Sequence, residues 1–223
     1  MSAKLFTQAI VKFLSGLLII GALLFLPAGT FRYPQAWLLI GILFIPMFIA
    51  GLVMMAVNPE LLKKRLSAKE EQDEQKAVIL LSAVKFLAAF IMAGLNFRFG
   101  WIVLPLWVSY AAAAVFLLGY ILYAEVLREN AYLSRTVEVQ EGQKVIDTEL
   151  YGLVRHPMYT STVFLFLSMP LILGSLPAFA VMLLYIPIIV KRIRNEEAVL
   201  AEGLPGYADY MRRVKYRLVP HLW

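Results

Sequence analysis

Residues 36–57 read AWLLIGILFIPMFIAGLVMMAV, a run without a single charge that ends at Asn58-Pro59-Glu60. About 20 apolar residues suffice to carry a helix across the hydrocarbon core of a bilayer, so this stretch decides the fold class. The runs 13–31, 99–124 and 157–190 are equally free of Asp, Glu, Lys and Arg. Hydrophobic residues make up 61% of the 223, and mean hydropathy is +0.74. Soluble domains hold roughly 45–50% apolar residues. A transmembrane β-barrel would alternate apolar and polar residues with period two, and these runs do not. The expected class is all-α: a polytopic integral membrane bundle of five to six transmembrane helices, with a cytosolic connector and a C-terminal helical tail.

Working outward, the first span is expected at Ala9 to Leu26, closed by Pro27 and Gly29. Lys4 and Lys12 give it the look of a signal peptide, but Leu26-Pro27-Ala28 makes a poor cleavage site and further spans follow, so a retained span is expected. The second covers Pro34 to Val57, with Pro46 as a kink point. Asn58-Pro59-Glu60 has the pattern of a helix start, with a cap, a first-turn proline and an acid. The basic, amphipathic segment after it suits the membrane surface, and the charged run Lys69 to Lys76 a solvated loop or helix face. Further spans are expected at Ala77 to Asn96 and Trp101 to Leu127, with Trp101 and Trp107 in an interfacial belt. Lys85 falls inside the third span and is read as snorkelling or facing the bundle.

Residues 128–155 form a polar connector. The run 157–190 is broken by Gly174-Ser175-Leu176-Pro177 and reads as a tight helical hairpin, each arm short for a full crossing. The chain divides into residues 1–127, four spans with the surface segment near 58–76, and residues 128–223. Lys and Arg number five in 58–76, four in 128–156 and seven in 191–223, against only Arg32 and Arg98 in the opposite connectors. The positive-inside rule then places both ends and the Arg155 region in the cytosol. The expected location is a multi-pass bacterial inner-membrane protein.

The net charge of +6 suits an anionic leaflet, and basic residues flanking spans leave little for a nucleic-acid reading. There is no cysteine and there are two histidines, His156 and His221. This removes disulfides, thiolate metal sites and histidine-rich metal centres, and with them metal-dependent hydroxylases and desaturases. Any cofactor is expected to be organic, and no metal is expected.

Chemistry-bearing residues gather at the two ends of the hairpin. Arg155-His156-Pro157-Met158-Tyr159 opens the first arm, and Arg192-Ile193-Arg194-Asn195-Glu196-Glu197 follows the second. Proline in a first turn leaves backbone donors free for an anionic ligand group. Arg192 and Glu196, four apart, share one helix face. Each cluster alone has a bland explanation, as an interface marker or a solvated ion pair. Two of them facing one another across a hairpin point to a pocket.

Together with Tyr151, Val154, Leu200, Gly206-Tyr207, Tyr210 and Val219-Pro220, these residues resemble the isoprenylcysteine carboxyl methyltransferase family and the related phospholipid N-methyltransferases, over roughly 128–220. The resemblance implies a methyltransferase core at 128–223 with a cytosolic S-adenosyl-L-methionine pocket. It implies cofactor contacts at Lys144, Val145, Ile146, Tyr151, His156, Pro157, Met158, Tyr159 and Glu196, with Gln143 bordering the strip and Glu197 beside its neighbour. Arg192 would orient a substrate carboxylate, and Arg155 would assist or hold the loop. The acceptor would be a lipophilic molecule or lipid reaching the site from the bilayer. Glu149-Leu150 and Leu204-Pro205-Gly206 stand where the family has Gly-Pro and Phe-Gly, which leaves the acceptor open between a carboxylate and a phospholipid amine. An NADPH-dependent membrane sterol-type reductase and a non-catalytic membrane scaffold are the rival readings.

Overall fold

A computed structural model describes residues 3–66, 73–133 and 139–223. Among the described residues ten helices follow one another: α1 Ala3–Ala28, α2 Pro34–Val57, α3 Pro59–Leu66, α4 Asp73–Phe99, α5 Leu106–Glu129, α6 Glu149–Leu153, α7 Pro157–Ile172, α8 Leu176–Met182, α9 Tyr185–Gly203 and α10 Tyr207–Arg213. No strand occurs among the described residues; a lone bridge joins Val103 to Ser175. Among the described residues, five stretches are long and apolar enough to cross a membrane: Leu5–Ala28, Pro34–Val57, Val78–Phe99, Leu106–Glu129 and Leu176–Gly203. Large apolar side chains such as Leu18, Ile45, Leu80 and Ile121 point outward on these helices. In water such a surface would aggregate; in lipid it is the expected exterior. The chain is an integral multi-pass membrane protein.

Local chemistry sets the helix ends. Pro34 sits in the first turn of α2. The Asn58 side-chain oxygen accepts from the Leu61 N–H (3.1 Å), capping α3 as its sequence predicts. Leu61 and Leu62 are buried, so the apolar face of α3 packs inward. Part of the charged run at 69–76 lies outside the described residues; its last residues begin α4. The fourth span starts later than Trp101. Gly100 takes a left-handed φ of 65° that stops α4, and Pro105 precedes α5, so Trp101 lies in the loop between them.

The hairpin is present but its arms are unequal. The 16 residues of α7 reach about 24 Å at 1.5 Å per residue, short of a ~30 Å core. Gly174, with φ 69°, turns the chain, and Ser175 caps α8 through the Ala178 N–H. Leu183 and Leu184 stay in the right-handed helical region between α8 and α9. The second arm therefore runs on as a near-continuous rod.

Two close helix contacts bring the bundle together. A Cβ at Gly94 would meet the Leu24 carbonyl oxygen at 2.7 Å, and one at Gly119 would meet Leu165 at 3.1 Å. These glycines let α4 approach α1 and let α5 approach α7. The main core joins Leu24, Leu39, Phe44, Phe90, Phe116, Leu165 and Met169. At the turn end of the hairpin, the Tyr33 hydroxyl donates to the Leu173 carbonyl (2.7 Å) and the Leu104 N–H to the Gly174 carbonyl (2.9 Å). That end is bolted shut; the opposite end carries the connector, α6, α10 and residues 214–223.

Candidate active site

At this polar end the start of α7 and the C-terminal half of α9 face each other across a solvent-open cleft whose enclosed cavity is about 100 Å³. Gln143, Lys144, Val145 and Ile146 from the connector line it, as do Tyr151, Arg155, His156, Met158 and Tyr159. Arg192 and Glu196 come from α9. Of the residues expected from sequence, Pro157 and Glu197 are not on its wall. Neighbours on a helix diverge by about 100°, and the structure turns Glu196 toward the cleft and Glu197 away. Their side chains are 23% and 7% exposed.

The Tyr159 hydroxyl links the two charged groups of α9. It accepts from Arg192 Nε at 2.9 Å and donates to the Glu196 carboxylate. The His156 ring stacks on Tyr159 with centroids 5.6 Å apart, and its Nδ1 lies 3.9 Å from Glu196 Oε1. The hairpin thus brings 156 and 196 together across one cavity.

Glu197 has a different task. Its carboxylate accepts from Arg155 Nε (2.7 Å) and Arg217 Nε (2.8 Å), and lies 3.3 Å from His156 Nε2. Arg155 Nη1 also donates to the Val214 and Lys215 carbonyls, at 2.7 and 3.0 Å. Of the two roles left open for Arg155, its hydrogen bonds match the one of holding the loop. A buried carboxylate with several charge-assisted bonds is a strong fastener, and this one ties α9 to the start of α7 and to residues 214–217.

The backbone donors at the start of α7 depart from expectation. The Arg155 and His156 N–H groups donate to the Tyr216 and Arg217 carbonyls (both 2.9 Å), and those of Tyr159 and Thr160 to the His156 carbonyl. The Thr160 hydroxyl also donates to the Leu218 carbonyl (2.7 Å). The segment 214–218 thus takes the His156 N–H, one of the donors expected to be free for an anionic ligand group. Nothing in the spacing of Arg155-His156-Pro157 signals a strand-like segment arriving some 60 residues later.

Sequence reasoning gave no role to Asn130, Tyr132, Leu133, Leu200, Leu204, Tyr207 and Tyr210, all on the cleft wall. Leu200 was findable, because it lies four after Glu196 on the same helix face. Asn130 donates to the Tyr151 hydroxyl (2.9 Å), and the Tyr210 hydroxyl donates to the Tyr151 carbonyl (2.8 Å); the aperiodic connector carries no signal for Asn130, whereas Tyr210 stood among the residues of the resemblance without a role. Burial pushes the phenols of Tyr151, Tyr207 and Tyr210 well above their ordinary range, and the nearby Glu196 and Glu197 charges add to this for Tyr207. All three stay neutral. The Tyr207 hydroxyl is buried on the wall without a partner among the described residues, which leaves one hydrogen bond for a ligand to complete.

This cleft fits an amino-acid-bearing nucleoside cofactor. It offers a half-exposed carboxylate for an ammonium, neutral aromatic rings for a base or an onium centre, and an orphan hydroxyl.

Comparison with known proteins agrees with this architecture. Residues 107–205 match the family described as phospholipid methyltransferase. A Δ14-sterol reductase from Mus musculus is 26% identical over 91 residues, 40% of this chain. The chain spans only 22% of that relative's length. The solved structure of the eukaryotic intramembrane Ras methyltransferase ICMT (isoprenylcysteine carboxyl methyltransferase) superposes with a TM-score of 0.55 at 19% identity, covering 92% of this chain and 74% of that one. The polytopic fold is therefore that of the isoprenylcysteine carboxyl methyltransferase, and residues 107–205 carry the sequence pattern of the phospholipid methyltransferases.

Proposed function

We propose that this chain is a membrane methyltransferase that binds S-adenosyl-L-methionine in the cleft between α7 and α9 and methylates a carboxylate on a lipophilic acceptor. One observation carries the reading: the Arg192 guanidinium and the Glu196 carboxylate meet in one cavity, bridged by the Tyr159 hydroxyl. Glu196 holds the cofactor's ammonium, and Tyr207 completes a hydrogen bond to it. The connector residues Gln143 to Ile146 with Tyr151 and Met158 cover its remaining surface. The cofactor supplies a methyl group activated on a cationic sulfur. Arg192 grips the acceptor carboxylate through its planar fork of donors, and Tyr159 fixes that fork relative to Glu196. Acceptor and donor are thereby held in line in a cavity that sheds water. Positioning of this kind lowers a displacement barrier without a metal or an acid–base pair. The Lys and Arg distribution along the chain supports a cytosolic site, with the acceptor arriving from the bilayer.

Methylation of a phospholipid amine is the second reading, favoured by the family match over 107–205; Arg192 would then grip the lipid phosphate. Two measurements separate the alternatives. Thermal-shift titration of the purified protein should show stabilisation by S-adenosyl-L-methionine and none by NADPH. The reverse result would make it a reductase, and silence to both would leave it a scaffold. Label carried from radioactive cofactor into lipid extracts should then be released as methanol by mild base, as an ester is and an N-methyl group is not.

A further inference from the structure

Lys85 sits midway along α4, 3% exposed, on a stripe with Val78, Ala89, Phe90 and Ala93. Its ammonium lies 3.9 Å from the Phe86 ring centroid, 4.3 Å from Tyr185 and 5.5 Å from Phe166. No hydrogen-bond acceptor reaches Nζ among the described residues. We infer that Lys85 and this aromatic cage form an intramembrane docking site for the oxyanion head, carboxylate or phosphate, of a lipid-tailed amphiphile.

The cage accounts for half of what an ammonium needs. Three ring faces attract a cation, but they offer no oxygen to its three N–H donors. An ionisable side chain in a membrane helix ordinarily finds a partner or marks a functional path. Lysine could escape by snorkelling, yet this one is turned into the bundle.

The location points the same way. Side chains on a helix lean toward its N-terminus, so the ammonium is tilted toward the end of the bundle that holds the cleft. A run of polar groups connects the two. Tyr159, on the cleft wall, offers its carbonyl to the Thr162 hydroxyl at 2.9 Å. Thr162 in turn shares a 2.6 Å hydrogen bond with the Tyr185 hydroxyl, and the Tyr185 ring covers Lys85. Tyr185 and Arg192 are seven residues apart on one face of α9, about 10 Å along the axis. Lipid-exposed Leu81 and Val84 on α4 and Ile186 on α9 flank the seam beside the cage. An amphiphile in the bilayer reaches Lys85 through this seam before it reaches Arg192. That this amphiphile is the methyl acceptor rests on the function proposed above; its binding at Lys85 does not.

The test uses the full chain in phosphatidylcholine nanodiscs, with thermal shift and native mass spectrometry as readouts. The probes are oleate, phosphatidate, oleyl alcohol and inorganic phosphate. Oleate or phosphatidate should stabilise the wild type and Lys85→Arg, and whichever acts more strongly names the head group. Lys85→Met should need at least ten-fold more of either, while its S-adenosyl-L-methionine titration stays unchanged. Replacing a buried ion by an apolar residue of similar volume is commonly neutral or stabilising; if the methionine variant does not fold, Lys85→Gln takes its place. Equal protection by oleyl alcohol, or wild-type affinity in the uncharged variant, would overturn the site. So would full protection by inorganic phosphate, which has no tail. Loss of the cofactor response with retained oleate binding would sink the proposed function and leave this site standing.

Discussion

At the scale of single residues, the two adjacent glutamates of α9 make opposite predictions. Glu196 is half-exposed to the cleft, so Glu196→Gln should weaken S-adenosyl-L-methionine binding about 10- to 100-fold, the worth of one charge-assisted contact, and leave the melting temperature unchanged. Glu197→Gln should do the reverse. It leaves Arg155 and Arg217 without their carboxylate and should lower stability by about 3 kcal/mol or more, read as a fall in melting temperature. Arg192→Lys keeps the charge but loses the fork; it should cut turnover at least ten-fold with cofactor affinity intact. The neutral phenols of Tyr151, Tyr207 and Tyr210 predict a pH limit. Folding raises their pKa above the ordinary value of 10, so the unfolded chain loses these protons first. Stability should hold up to about pH 10 and fall above it, and Tyr207→Phe should flatten that fall. The sequence made Arg192 and Glu196 legible because their spacing along one helix fixes a shared face, and Tyr159 because it closes the Arg155-His156-Pro157 cluster. It could not separate Glu196 from Glu197, since which of two neighbours faces the cavity depends on the rotation of α9 against its partners.

At the scale of elements, the spans were legible because lipid demands long uncharged runs, and α2 begins and ends where its apolar run does. The loop at 100–105 was less so. Trp101 is as apolar as its neighbours, and only the left-handed turn at Gly100 separates it from a span. Composition also hides which helices touch most closely. Gly94 and Gly119 look like ordinary membrane-helix glycines, yet each sits where a methyl group would collide with the facing helix. Gly94→Ala should cost about 1–3 kcal/mol, because the atom it meets belongs to the backbone of α1 and cannot rotate away. Gly119→Ala should cost less, since the Leu165 side chain can yield. Thermal unfolding of the two variants side by side checks the order.

At the scale of the whole molecule, the bundle has one sealed end and one end that carries the cleft. The turn of the hairpin is held by Tyr33 and Leu104; the cleft lies at the other end, where connector, α10 and 214–218 converge. The function proposed above puts the cleft end in the cytosol, the side that the charge distribution favours. Because the chain lacks cysteine, single introduced thiols report orientation without background. Glu141→Cys should be protected from an impermeant maleimide in right-side-out vesicles, and Phe31→Cys should react. Labelling of both, or the inverse pattern, would refute the assignment.

The contact between residues 214–218 and the beginning of α7 has a further consequence for how this molecule can diverge. The acceptors that this segment supplies are all main-chain carbonyls, which almost any residue supplies equally well; only the Arg217 guanidinium adds a side-chain donor, to Glu197. Homologues are therefore free to drift at Lys215 and Tyr216 while keeping the same foundation beneath the pocket, whereas Leu218 is held by its packing against Tyr159 and Ile189. Side-chain variation at Lys215 and Tyr216 leaves the foundation intact, whereas divergence at Glu197 or Arg155 removes its side-chain fastener.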